Sequence, residues 1–383
     1  MIVGDYTERK RKAQSGKIVI DKIVKSTTGV EYAIGNKLPV QGWFRGWFPD
    51  SWSINYRARR LSDKKEFIFK EFAPSLENRI THRSIKKNVE LFIKLMSINN
   101  CNGFCCFVGP MDSNSLIELS ASGGFGYICE TRDSSMFLSV DQIWRIDRYP
   151  DADIICDACL SIASSFRSLH LQGLCYAGID ESILYLNYQT GEVRITGFER
   201  NVVPSPEIIP PYFTDGFMAP EVYSMKTWDI YSDYFSMAVL FYRLLVGGFP
   251  MDGKRTRCYL VNNLKSVHEA SSTIYGSEAL FAFDPNDTSN EIRGLTDPFN
   301  PAMYAIQTKR WDCLPSSIRE SFVNTFSSGL KYSDRHKRTN DRQWITVFSD
   351  VKKAGVKRCQ CGRVSFCNMG SDNTHCIFCN RTL

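Results

Sequence analysis

The sequence is 383 residues long, and none of its apolar runs approaches the roughly 20 residues that a membrane-spanning helix needs. No secretory leader is expected, because Met1–Lys17 is largely polar and holds no apolar core segment. Charge of one sign is scarce. Lys and Arg number 47 and Asp and Glu 41, a net +6 that is too thin over this length to demand nucleic acid as a partner. Internal repeats and low-complexity tracts are also missing, which excludes a solenoid. These absences lead to the expectation of a cytoplasmic protein without a membrane partner.

What is present fits a globular chain of two or three domains. There are 25 Phe, 17 Tyr and 7 Trp, enough to fill a sizeable core. The densest basic run, Arg9-Lys10-Arg11-Lys12, reads as a solvated arm, with docking of a partner or of nucleic acid the other reading. The 14 cysteines divide unevenly: nine are scattered over residues 101–313 and five crowd into 359–379. The scattered ones sit among apolar neighbours, as in Ile154-Ile155-Cys156, where free cysteine acts as a small hydrophobe. The clustered ones, in the reducing compartment expected here, read as metal ligands.

The patterning changes along the chain. Residues 1–28 are polar and basic. Strand-like clusters follow at Tyr32-Ala33-Ile34, Trp43-Phe44, Ser53–Tyr56 and Phe67-Ile68-Phe69, then a helical period over Asn88–Met96. Strand-like pieces return at Gly103–Val108 and Phe125–Cys129. Beyond about residue 135 helices dominate: Asp151–Leu171, Ser232–Val246, Ile318–Leu330 and Gln343–Val351, with two short strands at Leu184–Leu186 and Val193–Ile195. Strands first and helices after predict an α+β fold, with an antiparallel sheet plus a helix in one lobe and helices in the other. The expected division is a basic arm over 1–28, lobes over 29–130 and 131–352, and a small metal-binding tail over 356–383.

Several motifs stand in a telling order. A helix end, Leu169-His170-Leu171-Gln172-Gly173, leads to a strand at Ile183-Leu184-Tyr185-Leu186. Val193–Glu199 follows, then Gly216-Phe217-Met218-Ala219-Pro220-Glu221, then the helix Ser232–Leu245 carrying Asp233. This order resembles the C-lobe of the eukaryotic-type protein kinases, over roughly residues 30–352. In that resemblance Phe67-Ile68-Phe69-Lys70 is the strand whose lysine holds nucleotide phosphates. Glu90, or else Glu77, is the lysine's helix partner, and Arg338 braces Glu221. A narrower resemblance, to a bacterial and phage kinase-like group, rests on Gly109-Pro110-Met111-Asp112, Gly124-Phe125-Gly126-Tyr127, Gly247–Gly253, Tyr275-Gly276, Phe283–Asn290 and the cysteine tail. It implies protein partners: a von Willebrand A-domain protein and a metal-dependent Ser/Thr phosphatase in tellurite-resistance-type loci.

The chemistry of phosphoryl transfer needs a carboxylate beside the acceptor, metal-holding oxygens, a glycine loop and a lysine. Most of these parts are gone. Gly178, or Ala177 by a count from the other side, stands where the catalytic Asp belongs, and by that second count Ser182 replaces the metal-holding Asn. The family's Asp-Phe-Gly is Gly197-Phe198-Glu199. In the glycine loop only Gly42 fits, with Pro39, Gln41, Trp43 and Phe44 crowding it. Lys70 survives. The reading is therefore a pseudokinase acting as a regulator or scaffold in a signalling or stress-response system, with ATP/Mg²⁺ binding in question. The competing reading is an active Ser/Thr kinase or other ATP-dependent transferase with relocated carboxylates, for which Asp180, Glu181 and Glu199 are the candidates. In the tail, Cys359, Cys361, Cys376 and Cys379 are the expected Zn²⁺ ligands, with Cys367 and His375 in reserve. So small a segment builds no core, and metal would stabilise it outright.

Overall fold

The computed structural model describes residues 22–38, 53–72, 79–98, 113–119, 123–131, 136–143, 149–205, 207–208, 214–225, 227–256, 258, 267–296, 302–367 and 375–383. The chain divides into two compact units. The first takes residues 1–133 together with Thr196–Arg200, and the second takes Ser134–Ile195 and Asn201–Leu383. The expected α+β class is the one observed. Among the described residues no helix is long and apolar enough to cross a membrane. The basic run at residues 9–12 and the expected strands at 43–44 and 103–108 lie outside the described residues, as do Gly42 and Glu77.

The first unit is a six-stranded antiparallel sheet. Its strands are β1 (Lys22–Lys25), β2 (Glu31–Lys37), β3 (Ile54–Arg60), β4 (Glu66–Phe72), β5 (Leu116–Leu119) and β6 (Gly124–Glu130), in the order β1-β2-β3-β4-β6-β5. Period-two alternation drives it: Phe67 and Phe69 turn inward from β4 onto Tyr32, Ile34, Ala58, Ile117 and Ile128, while Phe72, out of that period, stacks on Phe125 at 5.0 Å. Each such burial contributes about 1.5–3 kcal/mol relative to exposure. The Thr27 N–H donates to the Leu116 carbonyl at 2.9 Å, so the two outer strands meet at one end and the sheet curls toward closure. Gly126 has a packing reason. A Cβ there would stand 2.4 Å from the Phe69 ring and 2.6 Å from the Lys70 carbonyl, so β4 and β6 approach only over a bare backbone.

Two boundaries differ from expectation. β1 falls inside residues 1–28, so the sheet begins by Lys22. An edge strand needs only one inward side chain, here Val24, and its lysines disguise it. Helix α1 runs Arg79–Ile98 and starts well before Asn88. Its basic first turns hide the period, while Ile85, Val89, Phe92 and Leu95 carry the buried face.

The second unit is built around α2 (Ala152–His170), α3 (Ile230–Leu245), α4 (Met303–Cys313) and α5 (Asp341–Ala354). In α2, Ile155, Ala158, Cys159, Ile162, Phe166 and Leu169 bury one face, and Gly173 at φ +70° ends the turn after it. α3 opens on a capping box, Asp229 with Ser232, and α5 on another, Asn340 with Gln343. Aromatic rings tie the helices together: Phe241 meets Trp344 at 5.1 Å, and Tyr242 meets Phe322 at 5.5 Å. The short strands are β7 (Phe137–Ser139), β8 (Leu174–Tyr176), β9 (Leu184–Asn187), β10 (Val193–Ile195), β11 (Val202–Pro204), β12 (Glu207–Ile208) and β13 (Thr227–Trp228). The last two, β14 (Val356–Arg358) and β15 (Val364–Phe366), form the hairpin of the cysteine tail.

The segments 247–253 and 283–290, singled out by resemblance, pack against each other. The Asn290 amide donates to the Met251 and Leu280 carbonyls at 3.0 and 2.7 Å, and its oxygen accepts the Arg255 N–H at 2.9 Å. Nearby, the Tyr275 hydroxyl donates to Asp252 at 2.8 Å. Burial is the main reason that the Asp252 carboxyl is raised to about 6.

Candidate functional site

Strand pairing fixes Lys70 on β4, opposite Asn55 on one side and Tyr127 on the other. Its ammonium makes an ion pair with Glu199, which is fully buried. The Tyr127 hydroxyl lies 3.4 Å from the second Glu199 oxygen. From α1 the Asn88 amide donates to the Glu199 backbone carbonyl at 3.1 Å. Phe198, one residue back, packs on Phe92 at 4.2 Å and on Tyr127 at 6.1 Å. Segment 196–200 is thus sewn to the sheet and to α1 by one charge pair and two ring contacts. The Lys70 ammonium also lies over the Phe72 ring at 5.7 Å.

Glu90, the expected partner, is exposed on α1 and does not pair with Lys70. Helix geometry gives the reason: Val89 and Phe92 take the buried face, Asn88 reaches Glu199, and Glu90 is turned toward solvent.

In the second unit the stretch after β8 keeps its backbone frame. The Ala177 N–H donates to the Asn201 carbonyl at 2.8 Å. Gly178 holds φ +121°, a conformation closed to an ordinary side chain. Ala177 is buried and Gly178 bare, so neither place offers a carboxylate. The relocated candidates are engaged. Asp180 caps the short helix Glu181–Ile183, accepting from the Ser182 N–H at 2.7 Å and its hydroxyl at 2.6 Å, while its other oxygen accepts from Thr214 at 2.6 Å. Glu181 accepts from Arg243 Nε at 2.8 Å and also from its Nη2, and that guanidinium lies 4.5 Å from the Phe249 ring centroid.

Bracing is complete around α3. Arg338 grips Glu221 through two bonds of 2.8 Å, with side-chain exposures of 0% and 4%. It also donates to the Gly329 carbonyl at 2.8 Å and the Tyr231 carbonyl at 3.0 Å. Asp233 accepts from the Tyr176 N–H and the Trp228 indole, each at 2.6 Å. His170 lies between Asp233 and Asp341, 2.9 Å from each. Burial alone would lower its pKa, but the two carboxylates outweigh that and hold it up at about 9.

The tail forms two knuckles. In the first, the Cys359 N–H donates to the Arg363 carbonyl and the Gly362 N–H to the Cys359 carbonyl. In the second, the Cys376 N–H donates to the Arg381 carbonyl and the Asn380 N–H to the Cys376 carbonyl. The sulfurs of Cys359, Cys361, Cys376 and Cys379 lie within 4.8 Å of one another. Cys359 and Cys379 are 3.5 Å apart, and Cys361 and Cys376 3.8 Å. Tetrahedral zinc with bonds of about 2.3 Å would set sulfurs about 3.8 Å apart, so the donor set fits a closed four-thiolate site. The Arg381 backbone N–H, ahead of the neighbouring thiols, draws Cys379 down, while Cys359 is pushed up, so the thiols titrate together as one group. Cys367 and His375 stand outside the cluster: Cys367 faces the Ala354 carbonyl at 3.8 Å, and His375 bridges Thr382.

No family model matches the sequence, and no curated protein matches it either. Among solved structures, one described as the autoinhibited serine kinase domain of the giant muscle protein titin superposes with a TM-score of 0.56 at 13% identity. The match covers 84% of this chain and 81% of that one. The fold is protein-kinase-like. At this identity the likeness speaks for the fold alone, and function has to come from the residues. Within the kinase-like fold the elements that brace are filled: Glu221, Asp233 and Arg338. Of the positions that the sequence resemblance gives to the chemistry, Gly178, Ala177 and Gly197 carry no ligand side chain, and the Ser182 hydroxyl donates to Asp180. Sequence reasoning missed the capping of Asp180 by Thr214 and the engagement of Glu199 by Lys70. The first had a faint signal, since Asp180 precedes a short helix with Ser182 two residues on, an Asx-type cap.

Proposed function

We propose that this chain is a pseudokinase, a kinase-like regulator or scaffold that binds partner proteins and transfers no phosphate. The observation that carries this reading is the Lys70–Glu199 pair. The one cation kept from the nucleotide machinery is neutralised by a buried carboxylate lying two residues beyond the lost metal ligand. A phosphate would have to displace that carboxylate and leave it buried without its cation, which is costly. The engagement of Asp180 and Glu181 in local bonds supports the same conclusion. Zn²⁺ is the proposed occupant of the four-cysteine centre, since four thiolates suit it and leave no open position for catalysis. The sequence resemblance favours as partners a von Willebrand A-domain protein and a Ser/Thr phosphatase in a bacterial or phage stress-response system, in the cytoplasm.

The test is a thermal shift on zinc-loaded protein with ATP, with and without Mg²⁺. No shift in either condition is expected. A Mg²⁺-dependent shift, followed by transfer of label from ATP that Asp180→Ala abolishes, would replace this reading with the transferase.

A further inference from the structure

The cysteine tail is keyed into the helical unit. Arg363, on the hairpin between the two cysteine pairs, donates through Nε to the Asp151 carboxylate and through Nη2 to the Tyr149 carbonyl, both at 2.5 Å. Its guanidinium lies 3.9 Å from the Phe378 ring centroid. Phe378 sits between Cys376 and Cys379 in sequence, so its ring is carried by the second knuckle. That ring meets Tyr149 at 6.2 Å, and Tyr149 also takes the Arg310 guanidinium of α4 over its ring at 4.0 Å. A separate link runs from α4, where the Cys313 thiol lies 3.2 Å from the His375 carbonyl.

Tyr149 and Asp151 are not peripheral. The Tyr149 hydroxyl is buried and donates to the Leu244 and Leu245 carbonyls at 3.1 and 3.2 Å, at the C-terminal end of α3. Those carbonyls have no partner further along the helix, and a side-chain hydroxyl satisfies them. Asp151 stands at the N-cap of α2 but makes no cap bond with its side chain. Its carboxylate faces Arg363 instead. A continuous run of contacts therefore joins the four sulfurs to the start of α2 and the end of α3.

We infer that metal occupancy of the four-cysteine centre acts as a conformational lock on the helical unit. The inference rests on the reading that these cysteines hold a metal. Val364 and Phe366 bury the β15 end of the tail, but the knuckle turns that carry Arg363 and Phe378 have no core of their own once the ion leaves. Phe378 and Arg363 then lose their positions, Tyr149 loses the ring against it, and the Asp151 end of α2 loosens with the Leu244–Leu245 end of α3.

Hydrogen–deuterium exchange on the full chain tests this, with zinc content measured by elemental analysis on the same samples. Zinc-loaded protein is compared with protein stripped by a chelator, and with zinc-loaded Arg363→Ala. Stripping is expected to raise exchange at least tenfold at residues 149–156 and 242–247 as well as in the tail. Arg363→Ala is expected to keep its zinc and still raise exchange at 149–156. Metal loss that raises exchange in the tail alone overturns the lock while leaving the metal site intact. A chain that takes up no zinc overturns the metal reading itself, and the lock with it. Should stripped protein precipitate, the Arg363→Ala arm decides: unchanged exchange at 149–156 overturns the lock.

Discussion

Two buried ion pairs, one in each unit, use the same interaction for opposite ends. Arg338 and Glu221 are 117 residues apart and meet through two parallel bonds, with backbone carbonyls taking the remaining guanidinium hydrogens. Lys70 and Glu199 are 129 residues apart and meet as an ammonium against one oxygen. The first pair has a planar fork with every donor engaged, an arrangement suited to holding elements in place. The second uses a compact cation at the place on β4 that the sequence resemblance gives to phosphate binding. One pair preserves a frame, and under the proposed reading the other fills a nucleotide's place.

The comparison can be broken most sharply at Arg338. Arg338→Ala should strand the Glu221 carboxylate and cost about 3–5 kcal/mol in a urea unfolding series. A loss below about 1 kcal/mol would mean that the fork braces nothing. Lys70→Ala should cost somewhat less, about 2–4 kcal/mol, because Glu199 is left buried and charged. The double variant Lys70→Met with Glu199→Leu should recover most of that loss, as apolar replacements of a buried pair generally do. If the double variant is no better than the single, Glu199 is not the reason that Lys70 matters. Glu199→Gly should release Lys70, and a gain of ATP-dependent thermal shift over wild type would show that the pair is what closes the site.

A third buried charge, His170, sets the pH dependence. Its pKa is raised in the fold, so its contribution is fully present below the unfolded value of about 6.5 and is lost as pH rises through about 9. The contribution is on the order of 3 kcal/mol. Unfolding midpoints should therefore fall across that window in wild type, and His170→Gln should flatten the slope. The smallest effect belongs to Glu90. Exposed on α1, Glu90→Ala should stay within about 0.5 kcal/mol and leave the Lys70 pair intact, as measured in the same urea series.

The legible parts of the fold were those written locally. α2 and α3 carry their period and their caps within a few residues of sequence, and the structure places them within one or two residues of expectation. The Glu221–Arg338 pair was readable because each end sits in a motif with one known partner. Lys70 was not readable in the same way. Sequence order pointed to a glutamate on the following helix, whereas the actual carboxylate comes from a segment that folds back from far along the chain. β1 was missed because two lysines flank its one buried valine. The cysteine spacing named its four sulfurs, but nothing in it told that Arg363 would reach Asp151, since that bond depends on tertiary packing alone.

The first unit is discontinuous in the chain, and this bears on biosynthesis. Its sheet is made by residue 130, yet the carboxylate and ring that finish its interior arrive only with residues 196–200. On a ribosome the sheet would wait about 70 residues, several seconds at ordinary elongation rates, with Lys70 unpaired and the Phe92 surface bare. A fragment cut at residue 133 would keep that immature state permanently and should be prone to aggregate. Any dissection of this protein into halves has to leave residues 196–200 with the half that lies before them.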